Sequence, residues 1–144
     1  MPTVRRGASL SWMWTIHRWL YRASGGLWGS RVGGWPVILL TTTGRASGRS
    51  RTVALNFVPQ GESFVVAASN AGDARHPAWF LNLEAQPDAE VQFGRLRARV
   101  RGRRAQGPER DDLWRRFVER DPSYGEYQQR TQREIPVVIL EPVS

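Results

Sequence analysis

The chain has 144 residues, of which 40% are hydrophobic and 24% charged, so it fits one globular domain with its own core. It has no cysteine, which excludes disulfides, thiolate nucleophiles and cysteine-ligated metal sites. The formal net charge is +8, and the partners that this charge favours are an anionic cofactor, a nucleic acid or an anionic membrane surface.

The first 35 residues predict an amphipathic helix and a connector that precede the main domain, residues 36–144. Within residues 8–23 apolar side chains recur at helical spacing, at Trp12, Ile16, Trp19 and Leu20. This pattern fits either a helix packed on the rest of the protein or a helix lying on an anionic membrane surface. Residues 24–34 contain five glycines, which predict a flexible connector.

The sequence shows no signal-peptide pattern and no apolar run of about 20 residues that could span a membrane. We therefore expect a cytoplasmic location, with peripheral contact at the inner face of the plasma membrane as an additional role of residues 8–23. The oligomeric state is left open by the sequence.

From Pro36 onward, β-branched and apolar runs separated by turn residues predict a mainly β (α+β) fold. We predict strands at 36–43, 52–58, 63–69, 89–93, 96–104 and 136–141. The first is expected to be buried, and the second and third to form a hairpin around the turn at 59–62. Helices are predicted at 77–85 and 108–120, with a short one after Pro122. This order favours a six-stranded split β-barrel with inserted short helices over a parallel sheet.

The loop at 44–51 joins the first two strands and is the sharpest local feature of the sequence. Its glycines let several backbone N–H groups converge on one anion, and Ser47 adds a hydroxyl donor. Arg45, Arg49 and Arg51 add guanidinium groups that bind phosphate through charge-assisted hydrogen bonds. The alternative is a basic surface turn, and the loop lacks the Gly-Lys-Ser/Thr ending of a P-loop.

A second basic feature is the arginine stripe, five arginines at alternate positions from Arg95 to Arg103 on one face of a strand. We favour a solvated outer face over a surface for anionic lipid, a cofactor tail or nucleic acid, because no aromatic residues interleave with these arginines. No metal site is expected, since neither His17 nor His76 has an acidic residue at ligand spacing.

Tyr124 and Tyr127 are three residues apart and therefore share one face of the short helix predicted after Pro122. Two phenols on one face could orient a substrate and deliver a proton to it. The alternative, which the residues alone favour, is a pair of packing tyrosines.

Six segments taken together resemble the deazaflavin-dependent nitroreductase family, whose split-barrel members use coenzyme F-420. They are WLYR at 19–22, PVILLTTTGRASGRSR at 36–51, FVVAAS at 64–69, HPAWFLNL at 76–83, DPSYGEY at 121–127 and PVVILEP at 136–142. Their order and spacing match the family over nearly the whole chain. The resemblance implies coenzyme F-420 (8-hydroxy-5-deazaflavin) as cofactor, with FMN as the alternative.

The resemblance also implies a role for particular residues. The loop residues that would hold the cofactor phosphate are Gly44, Arg45, Ser47, Gly48 and Arg51. The residues that would lie beside the deazaflavin ring are Ala67, Ala68, Ser69 and Asn70. Those that would cover the other side of the ring are Pro77, Ala78 and Trp79. Tyr124 and Tyr127 would line the substrate pocket and, with Ser69, are the catalytic candidates.

The chain departs from the best-known nitroreductases of this family at four positions. Ala46 and Asn70 stand where those enzymes carry lysines, and Asn56 and Asp121 stand where they carry tyrosines. The pocket has therefore lost two phenols, which disfavours bulky nitroaromatic substrates.

The expected reaction is hydride transfer from reduced coenzyme F-420 to a small-molecule acceptor of the quinone, enone or nitro type. One alternative is a non-catalytic split barrel, or one that binds FMN, haem or a fatty acid. A basic nucleic-acid-binding protein is the other, although nucleic acid is not an expected partner.

Overall fold

The computed structural model describes residues 36–143; the predicted helix at 8–23, the connector at 24–34 and the domain boundary at 35 lie outside the described residues. Seven strands form one antiparallel sheet: β1 (Val37–Thr43), β2 (Ser50–Asn56), β3 (Val58–Gln60), β4 (Ser63–Ala67), β5 (Asp88–Phe93), β6 (Leu96–Arg104) and β7 (Val137–Pro142). Three helices accompany them: α1 (Ala78–Ala85), α2 (Gly107–Arg120) and α3 (Ser123–Arg130). Among the described residues, no helix has the length and apolar character needed to cross a bilayer.

The strand order is β2-β1-β5-β6-β7-β4-β3, which places β2 and β3 at opposite edges of the sheet. These two strands are nevertheless separated by one residue, Phe57, so the sheet must curl until its edges meet. Phe57 is 1% exposed, and its N–H donates to the carbonyl of Pro36 at 3.2 Å. This geometry confirms the predicted mainly β split barrel, with seven strands in place of six.

Two details of the strand prediction are wrong. The predicted strand at 52–58 breaks at Phe57: β2 pairs with β1, and only β3 forms the hairpin with β4. The first strand is buried on one face only, because Ile38 and Leu40 are fully buried while Val37 and Leu39 are 45% and 41% exposed. A short apolar run does not distinguish one-sided from two-sided burial.

The core consists of two clusters on the two faces of the curled sheet. The barrel interior is filled from β1, β4, β5, β6 and β7 and is covered at one rim by Trp79, Phe80 and Leu83 of α1. The second cluster lies between α2 and the outer face of β4 and β7. Successive residues of β4 and β7 thus face different clusters, so both faces of these strands are apolar.

The arginine stripe lies on the exposed face of β6, where Arg97, Arg99, Arg101 and Arg103 alternate with residues that face the core. Arg101 pairs with Asp88 at 3.4 Å, and Arg103 pairs with carboxylates of α2 and β7 at 2.9 and 3.0 Å. Exposed ion pairs of this kind contribute at most about 1 kcal/mol each. The geometry agrees with a solvated outer face.

Candidate functional site

A groove of about 530 Å³ follows the free edge of β2. β2 is an edge strand, so the backbone N–H and C=O groups on its outer side have no partner strand. The lining residues come from β1 and β2, the segment after β4, the start of α1 and α3. They are Val37, Ala54, Leu55, Asn56, Ala67, Ser69, Asn70, Ala71, Pro77, Trp79 and Tyr124. The volume lies within the range usual for small-molecule and cofactor sites.

Most of the residues predicted to surround the cofactor ring or to line the substrate pocket meet in this groove. They are Ala67, Ser69, Asn70, Pro77, Trp79 and Tyr124. Three others do not line it: Ala68 is buried in the barrel, Ala78 is exposed beside the loop at 44–51, and Tyr127 packs edge-to-face on Tyr124. The groove also includes Asn56, which the sequence identified only as a departure from the resembling family.

The segment that carries Ser69 and Asn70 has an unusual backbone. Asn70, Ala71 and Gly72 have φ values of 47°, 53° and 80°, all in the left-handed region. For the two non-glycine residues this conformation costs roughly 1–2 kcal/mol each. A Cβ at Gly72 would lie 2.8 Å from the backbone oxygen of Tyr127, so only glycine fits there. The strained segment is therefore held tightly against α3.

The opposite wall of the groove is formed by α3, where Tyr124 is half-buried against aromatic rings. Its ring centroid lies 5.2 Å from that of Phe117 and 5.4 Å from that of Tyr127. The phenol is hydrogen-bonded to the Asn56 side chain. Burial, with smaller contributions from Tyr127 and Asp121, raises the pKa of Tyr124 above its ordinary value. The phenol consequently stays protonated at neutral pH and can donate a proton into the groove.

The loop at 44–51 is a compact turn. The N–H of Gly44 donates to the carbonyl of Arg49 at 2.7 Å, and that of Gly48 donates to the carbonyl of Gly44 at 2.8 Å. A Cβ at Gly44 would lie 2.9 Å from Ser47 Oγ, and Gly48 has a φ of 74°, so both positions favour glycine. Within residues 36–143, the N–H groups of Ala46 and Ser47 have no hydrogen-bond partner, which leaves two donors for an anion.

Asn82 anchors this loop to α1, and sequence analysis missed it. The Asn82 side chain is 3% exposed, and its Oδ1 accepts from the Arg45 N–H at 3.1 Å and from Arg45 Nη1 at 2.8 Å. Its Nδ2 donates to Thr42 Oγ1 at 3.2 Å. The only available signal was an amide within the apolar sequence WFLNL of a predicted helix.

The other two loop arginines are not hydrogen-bonded to α1 as Arg45 is. Arg49 and Arg51 are exposed and form no salt bridge within the described part of the chain. Arg51 is paired with buried Thr42 in the β1–β2 register. Its Cγ lies 3.6 Å from the point that a Cβ at Gly44 would occupy, so its side chain lies beside the loop. These two guanidinium groups are free to bind phosphate, whereas Arg45 also has a structural role.

The loop and the groove lie at opposite ends of β2. Arg51 and Asn56 are five residues apart on this strand, which corresponds to roughly 17 Å at the usual rise per residue. None of the loop residues lines the groove. A ligand that reaches both must be elongated, with its anionic part at the loop and its other end in the groove.

Comparisons with known proteins extend over most of the chain. Residues 12–142 match the family model described as F420H(2)-dependent quinone reductase. An F420H(2)-dependent quinone reductase of Mycobacterium tuberculosis is 38% identical over 129 residues, 87% of each chain. A second, putative quinone reductase of that organism is 36% identical over 107 residues, 74% of this chain and 90% of the relative.

Solved structures agree with these matches. A structure titled F420-H2 dependent reductase superposes with a TM-score of 0.68 and 41% identity, and the match covers 74% of this chain and 94% of that chain. The haem storage protein of Vibrio cholerae superposes with a TM-score of 0.59, covering 76% of this chain and 82% of that one, at 14% identity, so it shares the fold alone.

Proposed function

The chain belongs to the F420H(2)-dependent quinone reductase family, and we propose that it transfers a hydride from reduced coenzyme F-420 to a quinone. It is an oxidoreductase with coenzyme F-420 as its cofactor, as the sequence predicted. The observation that carries the proposal for this chain is the groove, which brings Ser69 and Asn70, Pro77 and Trp79, and the protonated phenol of Tyr124 to the free edge of β2.

The described residues fit this cofactor. We place the deazaflavin ring in the groove, between Ser69 and Asn70 on one side and Pro77 and Trp79 on the other. Its phosphate would meet the N–H groups of Ala46 and Ser47 and the exposed guanidinium groups of the loop. Trp79, which is buried, and Pro77, which is half-buried, keep water from one side of the groove. When bound, the deazaflavin supplies the hydride, and the protein supplies orientation and a dry environment.

Tyr124 is the proposed proton donor to the acceptor. A quinone that gains a hydride needs one further proton to become a hydroquinone, and the Tyr124 phenol faces the groove in its protonated form. Asn56 holds this phenol by a hydrogen bond and so sets its direction. Solvent would reprotonate Tyr124, which is only partly buried.

Enones and nitro compounds are further proposed acceptors. Their carbonyl or nitro oxygens present the same hydrogen-bond acceptor to Tyr124 as a quinone does. Asn56 and Asp121, where the family's best-known nitroreductases carry tyrosines, leave less aromatic surface for stacking. We therefore expect a preference for quinones over bulky nitroaromatic compounds.

An anaerobic turnover assay tests the proposed reaction. Reduced coenzyme F-420 is mixed with the protein and a short-chain quinone, and the return of the oxidised absorption band is followed. Saturable oxidation that depends on both protein and quinone is expected, with a slower rate for an enone or a nitroaromatic compound. No quinone-dependent oxidation above the protein-free control would refute the function.

We further propose that residues 8–23 bring the enzyme to an anionic membrane, where lipid quinones reside. The support is the amphipathic pattern of these residues with tryptophans on the apolar face. Co-sedimentation with phosphatidylglycerol vesicles should be lost when Trp12 and Trp19 are both changed to serine. Equal sedimentation of the variant and the wild type would contradict this role.

A further inference from the structure

The segment at 68–76 connects β4 to α1 and contains Ser69 and Asn70, which line the groove. Beyond the N–H of Ala68, which donates to the carbonyl of Pro136 at 2.9 Å, it lies outside the sheet ladder. Its internal backbone hydrogen bonds join only Gly72 to Ser69 and Asp73 to Asn70, both at 2.9 Å. Three consecutive left-handed residues add strain. A segment of this kind keeps one conformation only if contacts from elsewhere in the protein fix it.

Arg133 provides four of these contacts. Its Nε donates to the carbonyl of Asp73 at 2.9 Å, and Nη2 donates to the carbonyl of Ser69 at 2.8 Å. Nη1 donates to the carbonyl of Ala68 at 3.2 Å and to Nδ1 of His76 at 3.1 Å. One side chain thus holds both ends and the middle of the segment.

The same residue is fixed to the helix on the other side of the groove. The carbonyl of Arg133 accepts from Gln128 Nε2 at 2.7 Å, and Gln128 lies in α3, four residues after Tyr124. Gln128 Oε1 in turn accepts from the N–H of Ile135 at 3.0 Å. Arg133 therefore links the wall that carries Ser69 to the wall that carries Tyr124.

We propose that Arg133 is a positioning residue for the hydride transfer, because it fixes the distance between the ring-side segment at 68–76 and the acceptor-side helix α3. The proposal deepens the proposed function and rests on it. Hydride donor and acceptor must approach to roughly 3–3.5 Å, and a displacement of about 1 Å lowers turnover by about a hundredfold. Residues that set the separation of the two walls thereby control the rate without contacting the reacting atoms.

Arginine is the side chain that this role requires. Its planar fork presents donors in fixed directions to three carbonyl groups at once, which a single ammonium group does not reproduce. Because the guanidinium is always a donor, Nδ1 of His76 must be the acceptor, so His76 is neutral with its proton on Nε2.

The surroundings of His76 give a readout that needs no cofactor. Burial contributes most to lowering the pKa of His76, and the positive charges of Arg133 and Arg104 lower it further. Glu84 opposes them, and the Phe80 ring packs on the imidazole at 4.8 Å. Removal of the Arg133 charge should raise the pKa of His76.

The test compares Arg133→Gln and Arg133→Lys with the matched control Arg97→Gln. Arg97 lies on the exposed face of β6 and belongs to neither wall of the groove. Turnover at saturating reduced F-420 and quinone should fall by about a hundredfold in both Arg133 variants and less than about threefold in the control. The dissociation constant of F-420 should change far less than turnover does.

NMR follows the imidazole signal of His76 against pH, and a His76→Gln variant assigns the signal. We expect His76 to titrate at higher pH in Arg133→Gln than in wild type. Turnover within about threefold of wild type in both Arg133 variants would overturn the proposal, and so would an unchanged His76 titration. If wild type itself oxidises no reduced F-420, the proposed function fails, while the His76 titration still decides whether Arg133 holds the segment.

Discussion

Replacement of Asn82 by alanine should weaken both the fold and cofactor binding, because Asn82 fixes the loop at 44–51 to α1. The substitution removes two hydrogen bonds to Arg45, one of them to its charged guanidinium, and one to the buried hydroxyl of Thr42. With about 1 kcal/mol for each bond, the free energy of unfolding should fall by about 3 kcal/mol. For a domain of this size that loss lowers the melting temperature by about 10 °C.

Cofactor affinity should fall in the same variant. A loop that is no longer held must be ordered when the phosphate binds, at a cost of about 1–2 kcal/mol for each backbone residue newly fixed. We expect F-420 to bind at least about tenfold more weakly, which corresponds to ordering one residue.

Two further substitutions serve as comparisons for Asn82→Ala. Asn82→Asp keeps an acceptor for Arg45 and can accept from the Thr42 hydroxyl, so its F-420 affinity should stay within about threefold of wild type. Glu84→Gln, two residues away on the exposed face of α1, is the matched control and should change neither quantity. Thermal unfolding measures the melting temperature, and fluorescence titration measures the affinity for F-420. An Asn82→Ala protein with wild-type affinity and a melting temperature within about 2 °C would refute the anchoring role.

Other substitutions test the two walls of the groove. Gly72→Ala should lower the free energy of unfolding by about 2 kcal/mol or more, since its Cβ would meet the Tyr127 oxygen at 2.8 Å; a chemical denaturation curve that matches wild type would contradict this. Tyr124→Phe should reduce turnover by about a hundredfold and leave F-420 affinity unchanged, and unchanged turnover would remove this phenol from the mechanism. Burial raises the pKa of Tyr124, so the stability that depends on its neutral phenol is complete below the ordinary tyrosine pKa and declines as pH rises above it. This alkaline decline, measured by denaturation at several pH values, should be smaller in Tyr124→Phe.

The local patterns of the sequence were sufficient for most of the fold. The alternation along β6 predicted its strand and its exposed arginines, because period-two burial is a property of neighbouring residues. Proline and acidic residues near the start of α2 predicted that helix in the same way. The break at Phe57 was not predictable, since it arises where the two edges of the whole sheet meet.

The candidate site was predictable only where motifs carried it. The loop at 44–51 was identified from its glycines and arginines, and the segment at 64–69 from its resemblance to a family. Ala67 and Ser69 of that segment line the groove. Asn82 and Arg133 were missed because their partners lie 37 and 64 residues away, at Arg45 and Ser69. Contacts between a side chain and distant backbone leave no periodic trace in the sequence.

Fluorescence titration of the purified protein with coenzyme F-420, with FMN in parallel, tests the central claim most directly. We predict micromolar or tighter binding of F-420, at least about tenfold weaker binding for Arg51→Ala, and no change for Arg97→Ala, which removes an equal charge from the exposed face of β6. Binding of FMN without binding of F-420 would leave the split barrel intact and contradict the cofactor assignment. Equal binding by Arg51→Ala and Arg97→Ala would show that the loop does not hold the phosphate.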